Sequence, residues 1–358
     1  MAQAASRGGT GIISFYRSFV VNHPLAAYAV RRFGVYLLTL WGSITITFFF
    51  FRLIPGNPID AYIQNLQTMQ QNYSVQASEA TVQYYKEAFG LNGSLLEQYV
   101  RYMNQLVLHQ NFGPSLINYP NPAQVVIARA LPWTIGLLGV STVIMWIIGV
   151  VLGAILGWKR DKPISGFVTY LAIAFSHIPY YFVALILVFL LSYRLGWLPS
   201  TAAYDPGYKI GFTPEFITSV IKHAILPSLS IIVIGVANWM VSTRMLIVPM
   251  LGEDFLTFAE AKGLRPGYIL TRYALRNCWL PQVIGLGIGL GSIFNGNVLV
   301  EQLFNYPGVG NLFVQATAQL DYNTMMGVVI LAIFGVLTAN LILDLLLPAI
   351  DPRVKYWR

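Results

Sequence analysis

Six long apolar stretches constrain this chain more than any other feature of its sequence. A helix that crosses the hydrocarbon core of a bilayer needs about 20 mostly apolar residues. Six stretches meet this requirement: Phe33–Phe51, Trp133–Trp158, Phe167–Leu191, Ile225–Thr243, Val283–Val300 and Met325–Leu347. A transmembrane barrel would instead show short segments of alternating hydrophobicity. The sequence therefore predicts an all-α integral membrane protein with about six transmembrane helices.

The composition of the chain agrees with a membrane protein. Of the 358 residues, 56% are hydrophobic and 10% are charged, whereas a soluble domain carries about 25% charged residues. The single cysteine, Cys278, excludes an intramolecular disulfide, and the four histidines have no metal-ligand spacing. The sequence also lacks a nucleotide-binding glycine loop and hydrolase motifs. We therefore expect no cofactor in this chain and no enzymatic activity of its own.

The distribution of positive charge predicts the orientation of the helices. If the N-terminus is cytoplasmic, fifteen of the 22 Lys and Arg residues lie on the cytoplasmic side. The other seven lie outside, several of them in a long segment that counts little in the positive-inside rule. We expect both termini in the cytoplasm. The net charge of +8 then reflects membrane orientation rather than nucleic-acid binding.

The predicted spans divide the chain into three parts. These are a cytoplasmic or interfacial segment (1–32), a transmembrane domain (33–350) and a cytoplasmic tail (351–358). In the first part, the apolar run Ile12–Val21 is interrupted by Arg17 and predicts an interfacial helix rather than a cleaved signal peptide. Two loops of the transmembrane domain are long enough to have a function. They are an external segment at about 55–131 and a cytoplasmic loop at about 251–280.

The cytoplasmic loop has the sequence signals of two short helices that meet at a bend. Glu253 and Asp254 favour the start of the first helix because acidic groups stabilise a helix N-terminus. Gly263 favours its end because glycine readily adopts left-handed backbone angles. Pro266 suits the first turn of the second helix, where its missing N–H is not needed.

The first of these two helices has an apolar face. Phe255, Phe258 and Ala259 follow each other at positions i, i+3 and i+4, which lie on one side of a helix. A short amphipathic helix of this kind binds either a groove in a partner protein or the membrane interface. The pattern alone leaves both alternatives open.

Several motifs in a fixed order carry a resemblance to a known family. The cytoplasmic loop contains AEAKGL at 259–264, RYALRN at 272–277 and Leu280-Pro281. Outside the loop stand RLIPGNP at 52–58, LGWLP at 195–199, EQLFNYPGVG at 301–310 and DPR at 351–353. Together they resemble the EAA loop and flanking motifs of bacterial ABC-importer permeases, most closely the dipeptide/oligopeptide permease family. Asn57, Thr257 and Phe258 depart from the common pattern of that family.

The resemblance implies a transport function in the cell inner membrane. The chain would be the permease subunit of an ATP-binding-cassette importer and would form half of the pathway for peptides or similar small solutes, such as oligosaccharides or nickel complexes. The implied partners are a second, homologous permease subunit, an external solute-binding protein and two cytoplasmic ATPase subunits, which bind ATP and Mg. The coupling helix that contacts the ATPase would comprise Glu253, Asp254, Phe255, Thr257, Phe258, Ala259, Glu260, Gly263 and Leu264.

Polar residues in and after the fourth and fifth spans are candidates for lining the pathway. Polar groups in lipid are costly, so they usually face the interior of a bundle or an aqueous cavity. The candidates are Asn238, Ser242, Asn295, Asn297 and Glu301. Hydrogen bonding between helices is an alternative role for the asparagines, and solvation at the surface is an alternative for Glu301.

Other residues of the spans predict structural roles. Glycines at 285, 287, 289 and 291 predict close helix packing, either within the chain or at a subunit interface. Pro179 predicts a kink in the third span, and His177 is more consistent with a hydrogen-bonded core residue than with the pathway. Asp344 is expected to pair with the backbone or an arginine because an unpaired buried carboxylate is costly.

Two other functions are compatible with a protein of several spans. An ion-coupled secondary transporter would show internal repeats, broken spans and acidic residues within the membrane, but Asp344 is the only acidic residue well inside a predicted span. A membrane-embedded enzyme would cluster His, Asp or Glu near one membrane face, and the sequence contains no such cluster. The importer is the favoured hypothesis, and the secondary transporter is its alternative.

Overall fold

The structure is a computed structural model that describes residues 24–54 and 79–350. Regular structure in these ranges is helical, apart from a single β-bridge between Pro114 and Pro122. The helices are α1 (Pro24–Leu53), α2 (Glu79–Ala88), α3 (Leu95–His109), α4 (Ala123–Trp158), α5 (Pro163–Ser176), α6 (Tyr180–Leu187), α7 (Pro214–Met250), α8 (Asp254–Ala261), α9 (Pro266–Ile269), α10 (Leu275–Ser292), α11 (Val298–Leu303), α12 (Val309–Ala318) and α13 (Tyr322–Ile350). The predicted all-α fold is confirmed, while the predicted interfacial helix at Ile12–Val21 lies outside the described residues.

The long helices agree with the prediction of about six spans. Five single segments are long and apolar enough to cross a membrane: Ala26–Leu53, Ala123–Trp158, Pro214–Met250, Pro266–Asn295 and Tyr322–Pro348. The bent pair Pro163–Ser176 and Tyr180–Arg194 satisfies the same criteria when it is taken as one span, which brings the number to six.

The third span is broken near its middle, as Pro179 predicts. The axes of α5 and α6 differ in direction by 95°, and Pro179 directly precedes α6. Proline cannot donate a helical hydrogen bond and disfavours helical angles in the residue before it, so α5 ends at Ser176. His177 lies exposed at this break and its Nδ1 is 2.7 Å from the Ile173 carbonyl oxygen. The prediction of a core histidine is therefore wrong, because the bend places the ring on the surface.

Helices α4 and α7 lie side by side and run in the same direction. Three glycines of α4 form the contact surface, one turn apart. A Cβ atom on Gly153 would lie 2.7 Å from the Thr243 Cβ, and one on Gly157 would lie 2.8 Å from the Ile247 Cβ. Gly149 approaches Trp239 in the same way. Because the residue numbers rise together on both helices, α4 and α7 are parallel.

Helix α13 is antiparallel to both α10 and α1. Of the glycines of α10, Gly287 faces Leu343 and Gly291 faces Ala339. At the other side of α13, Arg32 of α1 forms an ion pair with Asp344, at 3.0 Å between Nη1 and Oδ2. The predicted pairing of Asp344 with an arginine is confirmed.

The glycines of the fifth span pack within this chain. Beyond Gly287 and Gly291, a Cβ on Gly285 would lie 2.8 Å from the ring of Trp239 in α7, and one on Gly289 would lie 3.6 Å from Thr142 in α4. The four glycines therefore bring α10 close to three other spans. Packing within the chain, the first of the two predicted alternatives, accounts for all four.

These directions define two ends of the bundle. The α8 end is where α7 ends at Met250 and α8 follows, and the distal end is where α7 begins at Pro214. Helices α2, α3, α11 and α12 lie at the distal end, because α1 ends there and α4 and α13 begin there. A hydrophobic cluster around Phe48, Tyr102, Tyr322 and Met326 joins α1, α3 and α13 at this end.

Most of the predicted span boundaries differ from those of the helices, and two of these differences lie at the distal end. The second span begins at Ala123 rather than Trp133, because its helix continues beyond the apolar run. The fifth span ends at Asn295 rather than Val300. Gly296 has φ of +68°, which ends the helix, and a separate helix, α11, begins at Val298.

Candidate functional site

Helix α8 forms where the sequence predicts it. It begins at Asp254, directly after Glu253, and ends at Ala261. Gly263 has φ of +72°. Its N–H donates to the Glu260 carbonyl at 2.8 Å, and the Leu264 N–H donates to the Ala259 carbonyl at 3.3 Å. This is the Schellman arrangement, in which a left-handed glycine closes the last turn of a helix.

One side of α8 is anchored to the helix bundle. Leu256 and Ala259 are buried and belong to a cluster that also contains Ile269, Ala274 and Cys278. The last three residues lie on α9, α10 and the π-helical turn between them. Because interiors of this kind are close-packed, α8 has a fixed position on the start of the fifth span.

The other side of α8 carries two exposed aromatic rings. Phe258 is 68% exposed and Phe255 is 37% exposed. The predicted apolar face of Phe255, Phe258 and Ala259 is therefore divided between two sides of the helix, and the prediction of one shared face is wrong. Ala259 points inward with Leu256 because α8 lies on α9 and α10 through that side, which leaves only the phenylalanines free.

The other predicted coupling residues surround these two rings. The exposed members are Glu253, Asp254, Thr257, Glu260 and Gly263. Leu264 is half-buried and packs on the cluster below α8. The structure thus brings the predicted residues together on one short helix and its C-terminal turn, at the α8 end of the bundle.

The segment after α8 differs from the predicted second short helix. Pro266 does occupy the first turn of a helix, as predicted. That helix does not stop in the loop, since Pro266–Asn295 forms one continuous span through the π-helical turn Leu270–Ala274. The predicted loop 251–280 is therefore shortened to 251–265. As a consequence, α8 packs on the first turns of the fifth span, and the last turn of that span lies at the distal end.

Three of the predicted pathway residues lie at the surface of the chain. Asn238 is exposed and Ser242, one turn later on α7, is half-buried. The Asn238 side chain donates only within its own helix, to the Ile234 carbonyl at 3.2 Å. Asn295 is exposed at the distal end of the fifth span. These polar groups therefore remain available to water or to another subunit.

Asn297 has a structural function at the start of α11. Its side-chain oxygen accepts a hydrogen bond from the Val300 N–H at 3.3 Å. This is the usual role of asparagine at a helix N-cap, where it satisfies an otherwise free backbone donor. Asn297 is half-buried, and its polar group is used within the chain.

Glu301 is buried at the centre of the segment 296–311. Its Oε1 accepts from the Thr134 hydroxyl at 3.0 Å and from the Asn297 N–H at 3.2 Å. Its Oε2 accepts from the N–H groups of Gly310 at 2.7 Å and Asn311 at 3.1 Å. Burial raises the pKa of Glu301, and the four donors act in the opposite direction. The carboxyl group is completely buried in this conformation, so the predicted solvation of Glu301 at the surface is wrong, while its role in the pathway stays a prediction.

Asp321 is a second buried carboxylate, which the sequence interpretation missed. It accepts hydrogen bonds from the Ser115 hydroxyl at 2.7 Å, the Leu116 N–H at 2.8 Å and the Thr324 N–H at 3.1 Å. It thereby caps α13 and fixes the 113–117 loop against it. An aspartate directly before a long apolar run is a helix N-cap signal. The sequence therefore contained evidence that Asp321 caps α13, but none that it binds the 113–117 loop.

Comparison with known proteins extends these observations. Residues 149–356 match the family described as binding-protein-dependent transport system inner membrane component. The oligopeptide transport system permease protein AppB of Bacillus subtilis (strain 168) is 30% identical over 332 residues, which cover 93% of this chain and 100% of AppB. The dipeptide transport system permease protein DppB of Alkalihalophilus pseudofirmus is 30% identical over 346 residues, with 93% and 100% covered.

A third relative has a different named solute. The glutathione transport system permease protein GsiC of Escherichia coli (strain K12) is 27% identical over 330 residues, which cover 92% of this chain and 99% of GsiC. The similarity to all three proteins extends over nearly the whole length of both chains.

Proposed function

Because this chain belongs to the family of binding-protein-dependent transport system inner membrane components, we propose that it forms half of an import pathway for short peptides. The chain is a multi-pass inner-membrane permease subunit of an ATP-binding-cassette importer rather than a secondary transporter, and it is not itself an enzyme. Peptide import is the proposed activity because oligopeptide and dipeptide transport are named for two relatives whose similarity covers 93% of this chain.

The proposed complex has partners on both sides of the membrane. A second, homologous permease subunit completes the pathway, and an external solute-binding protein delivers the peptide. Two cytoplasmic ATPase subunits supply the energy and bind ATP and Mg, while this chain binds neither. The external segment at about 55–131 and the segment 301–310 are the proposed contact regions for the binding protein. Both lie at the distal end wherever the structure describes them.

The exposed phenylalanines of α8 carry this proposal. Phe255 and Phe258 leave apolar surface exposed on the helix that the resemblance to the EAA loop assigns to contact with the ATPase. A membrane interface is a poor match for α8, because interfacial helices are rich in Lys and Arg on the polar face. The helix itself contains Asp254 and Glu260 and no basic residue. The absence of basic residues within α8 therefore favours a groove in a protein partner.

The continuous fifth span supports a route for the motion. The coupling helix rests on Ile269, Ala274 and Cys278 through close-packed contacts. A displacement of α8 by an ATPase would therefore move the start of Pro266–Asn295 with it. We propose that this movement of packed helices opens and closes the pathway, without covalent chemistry in this chain.

Polar groups on the free face of α7 and at the end of the fifth span are the proposed pathway lining. Asn238 and Ser242 lie one turn apart on α7, and Asn295 ends the fifth span. Exposed amides within a span are costly in lipid and are expected to face water or a partner subunit. Asn297 and Glu301 are left out of this proposal because their polar atoms bind within the chain.

The test combines co-purification with ATPase activity. Phe258→Asp places a charge in the proposed groove and should weaken association with the ATPase by about 30-fold, the equivalent of a hot spot of about 2 kcal/mol. Gly263→Pro should also uncouple ATP hydrolysis from transport, because proline cannot adopt the φ of +72° at this position. The matched control is Phe212→Asp, since Phe212 is fully exposed at the distal end.

The expected result is that the native chain and Phe212→Asp retain the ATPase subunits, while Phe258→Asp loses them. Retention of the ATPase by Phe258→Asp, together with normal peptide uptake by both α8 variants, would contradict the coupling role of α8. If the ATPase associates normally but no peptide is imported in the presence of the binding protein, the proposed substrate class is wrong and the permease role stands.

A further inference from the structure

Arg52 lies at the distal end of α1 in an unusual environment. Its guanidinium carbon is 5.4 Å from the centre of the Phe48 ring, and the residue is half-buried between α1, α3 and α13. Its Nε is buried without a hydrogen-bond acceptor. Among the described residues, no carboxylate lies within 4.0 Å of this guanidinium. A buried cation normally has such a partner, so the environment of Arg52 is incomplete.

Three more unpaired polar atoms lie in the same region. The hydroxyls of Tyr102 and Tyr322 and the side-chain oxygen of Gln98 are buried without a hydrogen-bond partner. Tyr102 and Tyr322 are each only 6% exposed. Within residues 24–54 and 79–350, four of the seven buried, unpaired side-chain atoms thus belong to this one region. Such atoms are rare in folded proteins, and their concentration in one place calls for an explanation.

Two adjoining cavities are lined by the residues that carry these atoms. A groove of about 410 Å³ is lined by Arg52, Gln98 and Tyr322. A smaller pocket of about 50 Å³ shares Arg52 and Gln98 and extends to Tyr102. The groove is large enough for a small organic molecule, since ligand sites begin at about 300 Å³. The small pocket has room for a single polar group.

The charges around both cavities favour an anion. Lys86 lines the groove and Arg101 lines the small pocket, so three cations including Arg52 surround the site, against the single acid Glu87. Burial raises the pKa of Tyr102 above its usual value, so its phenol remains a hydrogen-bond donor at physiological pH. The unpaired groups are therefore mainly donors beside a cation.

We propose that the Arg52 cavity binds the carboxylate of a small organic solute. A planar carboxylate offers two acceptor oxygens, which match a guanidinium and the two tyrosine hydroxyls. The unpaired Gln98 oxygen accepts from an N–H donor of the same solute. A peptide carboxyl terminus provides both groups, because its last amide N–H lies next to the carboxylate. Water alone could occupy the space, but among residues 24–54 and 79–350 it would leave the cation without a counter-charge.

The experiment uses the full chain in nanodiscs of a zwitterionic lipid and does not depend on transport. L-alanyl-L-alanine, its C-terminal amide and inorganic phosphate are titrated separately by calorimetry. The dipeptide is expected to bind, and the amide at least about tenfold more weakly, because a hydrogen bond between two charged groups is stronger than one to a neutral group. Tyr322→Phe should weaken dipeptide binding by about tenfold, and Arg52→Gln should abolish it.

The matched control is Arg129→Gln, which removes an exposed arginine at the same end of the bundle and should leave binding unchanged. Tyr322→Phe keeps the aromatic ring of the hydrophobic cluster and removes only an unpaired hydroxyl, so it should not impair folding. Equal binding of dipeptide and amide would overturn the proposal. So would binding of phosphate without the dipeptide, or dipeptide binding that survives both variants at the site.

Discussion

Two buried carboxylates connect distant segments of the chain at the distal end of the bundle. Glu301 and Asp321 are both completely buried, and each accepts hydrogen bonds from segments far away in the sequence. Glu301 links α4 to the start of α12 through Thr134 and Gly310. A buried charge is costly unless donors surround it, and here backbone N–H groups provide most of the donors. These acids therefore have a structural function rather than a catalytic one.

Replacement of Glu301 by glutamine tests this function. The amide nitrogen of Gln would stand where one carboxylate oxygen now accepts from two donors. Both donors would then lack an acceptor, at about 1–3 kcal/mol each. We expect Glu301→Gln to lower the free energy of unfolding by about 2–6 kcal/mol, measured by thermal unfolding in detergent. Glu215→Gln, which alters an exposed acid in the first turn of α7, should change it by less than about 0.5 kcal/mol.

The outcome that would contradict this role is equal stability of the two variants. In that case the carboxyl group of Glu301 would be neutral in the native state. Burial raises its pKa and so favours that form, which glutamine could replace with little loss.

Local sequence signals predicted some of these single residues and not others. The pairing of Asp344 was predictable because a carboxylate within a span requires a partner, and Arg32 lies near the end of a neighbouring span. The hydrogen bonds of Glu301 were not predictable, because Thr134 and Gly310 approach it only after the helices have packed. The same holds for Asp321 and Ser115, which are 206 positions apart in the chain.

The contact of α4 with α7 depends on a row of glycines. Gly149, Gly153 and Gly157 let the two backbones approach closely, which is a common way for helices to associate in membranes. At Gly153 an added Cβ would collide with the carbonyl oxygen of Met240. A backbone atom cannot move aside as the end of a flexible side chain can, so the two helices would have to separate.

Gly153→Ala should therefore destabilise the bundle by about 1–3 kcal/mol, the usual cost of overpacking. Denaturation in sodium dodecyl sulfate, followed by tryptophan fluorescence, measures the effect. The matched control is Gly136→Ala in the same helix, where an added Cβ would meet nothing within 4 Å. That variant should stay within about 1 kcal/mol of the native chain. Equal effects of the two alanines would show that close approach at Gly153 is unimportant.

At the level of helices, the sequence was most informative where a signal is local. The start of α8 after Glu253, its end at Gly263 and the break at Pro179 depend on backbone preferences of single residues, and the structure has all three. The extent of the spans was less predictable, since α7 runs over Pro214–Met250 whereas its apolar core covers only Ile225–Thr243. Hydropathy identifies the part of a helix that lies in lipid, but it does not detect the polar turns that extend beyond the lipid.

The six spans together determine which parts of the chain share a side of the membrane. Because α1 and α13 are antiparallel and six spans separate the ends of the described chain, Pro24 and Ile350 lie at the α8 end. Lysines and arginines near this end, such as Lys159, Arg160 and Lys162, favour its placement in the cytoplasm. The order of the helices determines which of their ends lie at the same end of the bundle. The placement of the α8 end in the cytoplasm depends on charge alone and remains a prediction.

Labelling of engineered cysteines tests this orientation in the intact membrane. The only native cysteine, Cys278, is completely buried, so it contributes little background reaction. Phe212→Cys and Phe258→Cys place an exposed thiol at opposite ends of α7, about 55 Å apart along a helix of 37 residues. In intact spheroplasts, a maleimide that cannot cross membranes should label Phe212→Cys at once. It should label Phe258→Cys only after the membrane is made permeable. The opposite pattern would place α8 outside the cell, where no ATPase could bind it.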